Sequence, residues 1–174
     1  GANNVAVGSE ALDANTTAHG STAIGYQTLT AHSTGGNNVA VGYQAMLAST
    51  TGVSNVAVGN SALDASTIGR YNTALGHQAL STDIDGDHSV AVGYLALATQ
   101  ESDGANQAVY NTAVGSYAAN GLTTAIRSTF VGGYAGGNAT VTGDDNTGVG
   151  YKALYVNTSG TDNVAVGSEA LDAN

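Results

Sequence analysis

Residues 38–46 read NVAVGYQAM, and this stretch decides the fold because variants of it fill the whole chain. The pattern is Asn or Ser, Val or Thr, Ala, an aliphatic residue, Gly, two variable residues, Ala and Leu. Ten copies begin at residues 4, 21, 38, 55, 72, 89, 111, 128, 146 and 163, mostly 17 residues apart. They leave no room for a second domain, so residues 1–174 are predicted to form a single repeat domain.

The repeat length and composition predict a β-solenoid. Each repeat holds two short runs of strand-forming residues, separated by the Gly, Asn, Asp and Ser residues that favour turns. A period of 17 is too short for helical repeats, which need about 33 residues or more. Seventeen extended residues span about 56 Å, enough for one flattened coil. We therefore expect an all-β, parallel β-solenoid of ten coils, with an insertion near residues 98–108.

The composition excludes several classes of function. The net charge is −10, with 13 acidic residues and only 3 basic ones, so no basic face is available for nucleic acid. No apolar run approaches the roughly 20 residues that span a bilayer. The absence of cysteine excludes disulfides and Cys-based zinc sites. Catalytic residues should be singular, whereas the distinctive residues here recur, so neither an enzyme nor a cofactor is expected.

Stacked coils place equivalent residues in columns, and four of these columns are predicted to be structural. The aliphatic residue before each repeat glycine and the Leu or Met four residues after it are expected to form the core. The glycines are expected where the backbone needs a positive φ or a close approach: Gly8, Gly25, Gly42, Gly59, Gly76, Gly93, Gly115, Gly132, Gly150 and Gly167. The first motif position is expected to form an asparagine ladder: Asn4, Asn38, Asn55, Asn72, Asn111, Asn146 and Asn163.

A further column, two residues before the glycine, is alanine in eight of ten copies. Alternation along a strand turns it away from the aliphatic column, so we expect it to face outward. An outward stripe of alanine lets another backbone approach closely and predicts an inter-chain contact; the alternative is a cramped corner inside each coil. The stripe consists of Ala6, Ala23, Ala40, Ala57, Ala74, Ala91, Ala113 and Ala165.

Few residues are candidates for ligand chemistry. Asp83, Asp85 and Asp87 form a candidate calcium turn, although its glycine is fourth where an EF-hand loop has it sixth. The four histidines share no repeat position and are expected at the solvated surface. Tyrosines that follow the repeat glycine are expected to form a ladder, with stacking on sugar rings as the alternative: Tyr26, Tyr43, Tyr94 and Tyr151.

Two segments depart from the repeat. The insertion around residues 100–106 is expected to be a surface loop, and such loops often carry binding. The copy at residue 128 contains Gly132-Gly133 and Gly136-Gly137 and is expected to be a bend or a loosely packed coil. Residues 4–15 are identical to residues 163–174, which suggests a piece of a longer array.

The repeat N-[VT]-A-[VIL]-G-x-x-A-L resembles two related groups. One is the β-roll head of YadA-like trimeric autotransporter adhesins, and the other is the shaft of phage tail fibres, whose repeat length is nearer to 17. The resemblance covers all ten copies. It implies a left-handed parallel β-roll, three chains around one axis, and a role in adhesion or host recognition.

Together these observations predict a structural or adhesive extracellular fibre segment at a cell or virion surface. Its expected partner is itself, as a homotrimer or an end-to-end filament, and in addition a cell-surface glycan or receptor. One alternative is a purely structural filament subunit. The other is an ice- or glycan-binding solenoid. Threonines eight and nine residues after the glycine suggest ice binding only in part, because adjacent residues face opposite sides.

Overall fold

The computed structural model describes residues 1–102, 104, 107–137 and 140–173. These residues contain no helix and ten strands of three residues each, one per repeat. The strands are β1 (Val5–Val7), β2 (Thr22–Ile24), β3 (Val39–Val41), β4 (Val56–Val58), β5 (Thr73–Leu75), β6 (Val90–Val92), β7 (Thr112–Val114), β8 (Thr129–Val131), β9 (Thr147–Val149) and β10 (Val164–Val166). They form one sheet in sequence order, β1 to β10.

Every neighbouring pair of strands is parallel and in register by repeat position. Between β3 and β4, for example, Ala40 pairs with Ala57. Across the insertion, Ala91 still pairs with Ala113. The columns that the repeat defines are therefore columns in space, and the ten strands are joined by about nine turns of a β-solenoid. The all-β, parallel solenoid is confirmed, while its left-handed winding and its assembly as a trimer stay predictions.

The core is a narrow space between two columns inside the coil. The leucine or methionine four residues after the glycine is buried, as predicted, from the first coil to the ninth wherever the column is Leu or Met. The alanine two residues before the glycine packs against it in the same apolar cluster. Leu171, in the last described coil, is exposed because no further coil covers it.

The two faces of the strands are inverted relative to the prediction. The alanine column is buried inside its own chain, with 0% exposure from Ala23 to Ala113 and 3% at Ala165; only Ala6, in the first coil, is exposed. The aliphatic column before the glycine faces outward instead, with 57% exposure at Val7 and 44% at Leu75. The leucines of the opposite wall fill most of the coil and leave room for little more than a methyl group. The predicted inter-chain contact through alanine is therefore wrong, and the cramped corner is what the structure contains.

The repeat glycine turns the chain sharply out of each strand. Its φ lies between 131° and 143° in all ten copies, a region that residues with a Cβ rarely adopt. At Gly59, an added Cβ would lie 2.3 Å from the carbonyl oxygen of Gly76 in the next coil. Glycine is thus required at this position both by the backbone conformation and by the distance between coils.

Left-handed residues other than glycine complete each turn. In the third coil Gln44 and Met46 have φ of 55° and 53°, and Ser54, before the next asparagine, has φ of 58°. The same three positions recur along the chain. Side chains such as leucine and methionine are uncommon in this conformation, and here the fully buried position of the Met46 side chain holds it there.

The coil at residue 128, expected to be a bend or a loosely packed coil, is packed around one large ring. Phe130 takes the place of the core alanine and is 1% exposed. Gly136 stands where other coils have leucine, and Gly148 stands where the next coil would have alanine. A Cβ on Gly136 would lie 2.5 Å from the Phe130 ring, and one on Gly148 would lie 3.0 Å from it. The ring therefore fills the space that these two glycines leave free.

Candidate functional site

The sheet presents an outer face made of two ranks of side chains, three residues and one residue before each repeat glycine. The first rank is Val5, Thr22, Val39, Val56, Thr73, Val90, Thr112, Thr129, Thr147 and Val164; the second is Val7, Ile24, Val41, Val58, Leu75, Val92, Val114, Val131, Val149 and Val166. All of these residues are exposed or half-buried. Neither rank contains a charged residue, although the chain carries 13 acidic and 3 basic residues.

The outer face is long, narrow and regular. With about 4.8 Å between strands, ten strands span about 43 Å, and three residues of strand span about 10 Å. The face therefore covers roughly 430 Å², within the roughly 300–600 Å² of the largest apolar patches on monomeric proteins. Patches of this size are often binding surfaces. Sequence reasoning placed half of these residues in the core, so this surface was missed.

The asparagine column binds the coils to one another from inside. Asn55 Nδ2 donates a hydrogen bond to the carbonyl oxygen of Gly69, in the last turn of its own coil, at 2.7 Å. Asn55 Oδ1 accepts one from the backbone N–H of Asn72, in the next coil, at 2.9 Å. Asn38, Asn72, Asn111 and Asn146 make equivalent contacts. These five asparagines are buried, so their role is structural and they are inaccessible to a ligand.

The carboxylates of the candidate calcium turn make hydrogen bonds to the protein. Asp83 Oδ1 accepts a hydrogen bond from the backbone N–H of Gly86, and Asp87 Oδ1 accepts one from the backbone N–H of Arg70. Asp85 accepts from the hydroxyl of Ser102. Ser102 links two of the carboxylates, because its backbone N–H also donates to Asp83 Oδ1 at 3.3 Å. Among the described residues, no group of three or more His, Cys, Asp or Glu side chains is arranged to hold a metal ion.

A groove of about 210 Å³ lies where the insertion leaves the solenoid. Its lining includes Asp85, Glu101 and Ser102, so its walls are acidic. Residues 103, 105 and 106 of the predicted binding loop lie outside the described residues. The described part of the loop offers no cationic or aromatic side chain to a ligand.

Two titratable groups are buried inside the coils. His32 is fully buried, against the expectation of a solvated surface position, and burial lowers its pKa. Its Nε2 lies 3.3 Å from Asn38 Nδ2, a donor, so the ring is neutral with Nε2 as acceptor. Burial raises the pKa of Asp83, although Gln100 Nε2 donates to its carboxylate at 2.5 Å. The other histidines, His19, His77 and His88, are exposed or half-buried.

Aromatic side chains form stacks along the outside of the solenoid. Tyr26 and Tyr43 stack at 5.5 Å between ring centroids. A longer series runs through His77, Tyr94, Tyr117, Tyr134 and Tyr151, with successive centroids 4.8–6.3 Å apart. A third stack, Tyr71–His88–Tyr110, has 4.9 Å between successive rings. The sequence analysis identified only the tyrosines that directly follow a repeat glycine. The 17-residue spacing between Tyr117 and Tyr134 was the signal that could have identified further stacked rings.

Fold and surface together define this chain as a parallel β-solenoid repeat protein with an exposed aliphatic face. Comparison with known proteins goes no further: no family model, no curated protein and no solved structure matches the chain. In the part of the chain that the structure describes, no helix is long and apolar enough to cross a membrane.

Proposed function

We propose that this chain is a segment of an extracellular fibre that attaches to a host cell or surface, either the shaft of a phage tail fibre or a bacterial surface adhesin. Three copies assemble side by side through the outer face. The single observation that carries the proposal is that face, two uncharged ranks of Val, Thr, Ile and Leu that run along all ten coils. The resemblance of the repeat to adhesin heads and tail-fibre shafts supports the same assignment.

Another copy of this chain fits the outer face better than an unrelated partner. Side chains in both ranks repeat at the spacing of the strands, about 4.8 Å, and a parallel copy repeats at the same spacing. Contacts made at one coil are therefore made again at the next, along the whole face. Closed rotational symmetry is the usual arrangement of identical subunits, and three chains around one axis cover all three faces.

The proposed contact needs more area than the two ranks alone provide. A specific interface buries about 800 Å² per partner, more than the roughly 430 Å² of the strands alone. The flanking column that contains Tyr71, His88 and Tyr110 extends the face on one side, and the first and last of these are 53% and 54% exposed. Aromatic residues are enriched at interfaces. The combined surface is larger than the strands alone and so comes closer to the size of a stable contact.

The proposed role is structural and adhesive rather than catalytic, and the proposed location is the outside of a cell or virion. Rigid columns of buried alanine and leucine hold each coil at a fixed distance from the next. Such a rod separates what lies at its two ends, which is the task of a fibre shaft. The acidic surface, with a net charge of −10, keeps separate fibres apart in solution.

The solution mass tests the assembly directly. Sedimentation equilibrium of the wild-type chain should give three times the 17.0 kDa of one chain. Val58→Asp places a charge in the middle of the outer face and should produce a monomer. Ile84→Asp is the matched control, because Ile84 is 54% exposed but lies outside both ranks. A trimer that survives Val58→Asp, or one that Ile84→Asp dissociates equally well, would contradict the proposed interface.

Other masses distinguish the alternatives. Mass that grows without limit with concentration would favour the purely structural filament subunit. A monomeric wild type would overturn the trimer and leave the outer face in water. The ice-binding alternative would then gain from the five threonines of the first rank, which lie half-buried on the outer face with valines between some of them. Thermal hysteresis of a freezing solution would test it.

A further inference from the structure

A patch on the eighth and ninth coils combines aromatic rings with a cation. We call it the cationic aromatic patch and define it as Tyr134, Tyr151, Lys152 and Tyr155. Lys152 Nζ lies over two rings, 5.4 Å from the centroid of Tyr151 and 5.1 Å from that of Tyr155. The Tyr134 ring meets both tyrosines nearly edge to face, at 83° and 78°. Tyr151 is 49% exposed, so part of its ring is open to solvent.

Lys152 differs from the other cations of the chain in its surroundings. Arg127 forms a two-pronged ion pair with Asp145, at 2.7 Å for each hydrogen bond, and also approaches Asp144. Among the described residues no carboxylate forms an ion pair with Lys152, and Lys152 is the one cation that lies over aromatic rings. Its charge is therefore held in place by tyrosines and remains available to an anion.

We infer that the cationic aromatic patch binds an acidic saccharide, a pyranose ring that carries a carboxylate. The exposed ring surface of Tyr151 packs against the apolar C–H face of the sugar, because aromatic side chains offer large, rigid apolar area. Lys152 donates hydrogen bonds to the carboxylate, and such charge-assisted bonds are the stronger kind. This inference names a class of ligand for the proposed attachment. It rests on the proposed function only for its biological setting.

The charge of the rest of the chain sharpens this assignment. A net charge of −10 repels polyanions, so a ligand dense in phosphate or sulfate is disfavoured. One lysine beside several rings instead suits a ligand with isolated negative charges and apolar faces between them. Glu169 stands in the same repeat position as Lys152, one coil further on, and its backbone N–H donates to the carbonyl oxygen of Tyr151. This carboxylate opposes the binding of an anion.

The repeat supplies substitutions that the fold already accepts. Glutamine occupies the position of Lys152 in three other coils, at Gln27, Gln44 and Gln78, and serine occupies the position of Tyr151 in three, at Ser9, Ser116 and Ser168. Lys152→Gln and Tyr151→Ser therefore remove the cation and the ring with little effect on the coil. Tyr26→Ser is the matched control, because Tyr26 stacks on Tyr43 without a cation over its ring.

The experiment is calorimetric titration of the full chain with trigalacturonate and with its neutral methyl ester. Wild type should bind the acid more tightly than the ester, and added salt should weaken only the acid, because salt screens exposed charges. Lys152→Gln should weaken binding of the acid about tenfold, the effect of losing one charge-assisted hydrogen bond. Tyr151→Ser should weaken both ligands, Glu169→Gln should tighten the acid, and Tyr26→Ser should change neither.

Two results would overturn the inference. One is the absence of binding of either saccharide to wild type that retains its native circular dichroism. The other is equal binding of acid and ester that Lys152→Gln leaves unchanged, which would make the site a neutral aromatic surface. Because the mass of the assembly is measured separately, a trimer that binds no saccharide refutes the patch alone, and a monomer that binds it refutes the assembly alone.

Discussion

Replacement of Phe130 by alanine tests whether the alanine and leucine columns share one interior space. The Phe130 ring is 1% exposed and occupies the volume next to Gly136 and Gly148. Truncation of a buried phenylalanine to alanine costs about 3–5 kcal/mol, because it removes buried apolar area and leaves a cavity. The variant should thus unfold at a markedly lower urea concentration than wild type.

The stability that compensating substitutions should restore follows from the same geometry. In the Phe130→Ala background, Gly136→Leu restores the residue that other coils have, and a buried leucine contributes about 2–3 kcal/mol. Gly136 has φ of 59°, close to the 50–54° of the leucines in the same column, so the backbone is already in place. Adding Gly148→Ala contributes about 0.8 kcal/mol more. The triple variant should therefore lie within about 1–2 kcal/mol of wild type.

The two columns share one interior space if Gly136→Leu changes stability in opposite directions with and without Phe130. With Phe130 present, the Cβ of Gly136→Leu would lie 2.5 Å from the ring, so the single variant should lose about 1–3 kcal/mol or fail to fold. With alanine at 130 the same change should stabilise. The assay is urea denaturation followed by far-UV circular dichroism on all combinations, with coupling taken from the double-mutant cycle. Additive effects, with Gly136→Leu destabilising in both backgrounds, would refute the shared interior.

Substitutions at Gly59, Asn55 and His32 test the glycine column, the asparagine column and the buried histidine. Gly59→Ala should cost about 4 kcal/mol or more, because its Cβ meets Gly76, whereas Gly104→Ala, with open space around it, should stay within about 0.5 kcal/mol in the same urea assay. Asn55→Ala leaves a buried carbonyl and a buried N–H without partners and should cost about 2–4 kcal/mol, and Asn55→Ser should cost less, because other coils have serine there. If Asn55→Ala lost less stability than Asn55→Ser, the role of the Asn55 hydrogen bonds between coils would be contradicted. Burial lowers the pKa of His32 in the folded chain, so stability should fall as the pH falls below 6.5, where the unfolded chain takes up the proton. Denaturation midpoints at several pH values should show this slope, and His32→Ser should reduce it; an unchanged slope would show that other groups cause it.

The repeat predicts most of the architecture, because period and register are properties of the sequence itself. A 17-residue spacing places Ala40 beside Ala57 whatever the details of the turns. Alternation along a strand also predicts correctly that Ala40 and Val41 face opposite sides. It does not predict which side is the interior, since the rule holds equally for both assignments. Choosing the larger residue for the core gave the wrong face.

One coil of the sequence contained the information needed to decide which face of the strands is the interior. Where alanine becomes Phe130, leucine becomes Gly136 and the next alanine becomes Gly148, while the column before the glycine stays aliphatic at Val131 and Val149. Large-for-small exchange between columns is expected where they share one packed space. Read this way, the coil that departs most from the repeat indicates that alanine and leucine face each other inside.

The remaining misses have local causes. The left-handed conformation of Met46 and Tyr117 runs against their preferences, so only the packing of the coils reveals it. His32 is buried in a column ten residues before the next repeat glycine that is mostly polar, including Ser49, Ser66 and Asp83, and the lack of a shared position among the four histidines gave no sign of this column. The patch around Lys152 depends on side-chain directions that spacing does not determine.

The hydrogen bonds of the asparagine column run in one direction along the chain, from each coil to the coil that follows. This direction bears on how the solenoid folds. Each asparagine is first anchored to the last turn of its own coil, as Asn55 is to Gly69, before the residue that it accepts from, Asn72, has been added to the chain. During synthesis or export with the amino terminus leading, every finished coil therefore displays an oriented acceptor to the coil that follows. Growth can proceed as sequential templating, one coil at a time, without a search among many distant pairings.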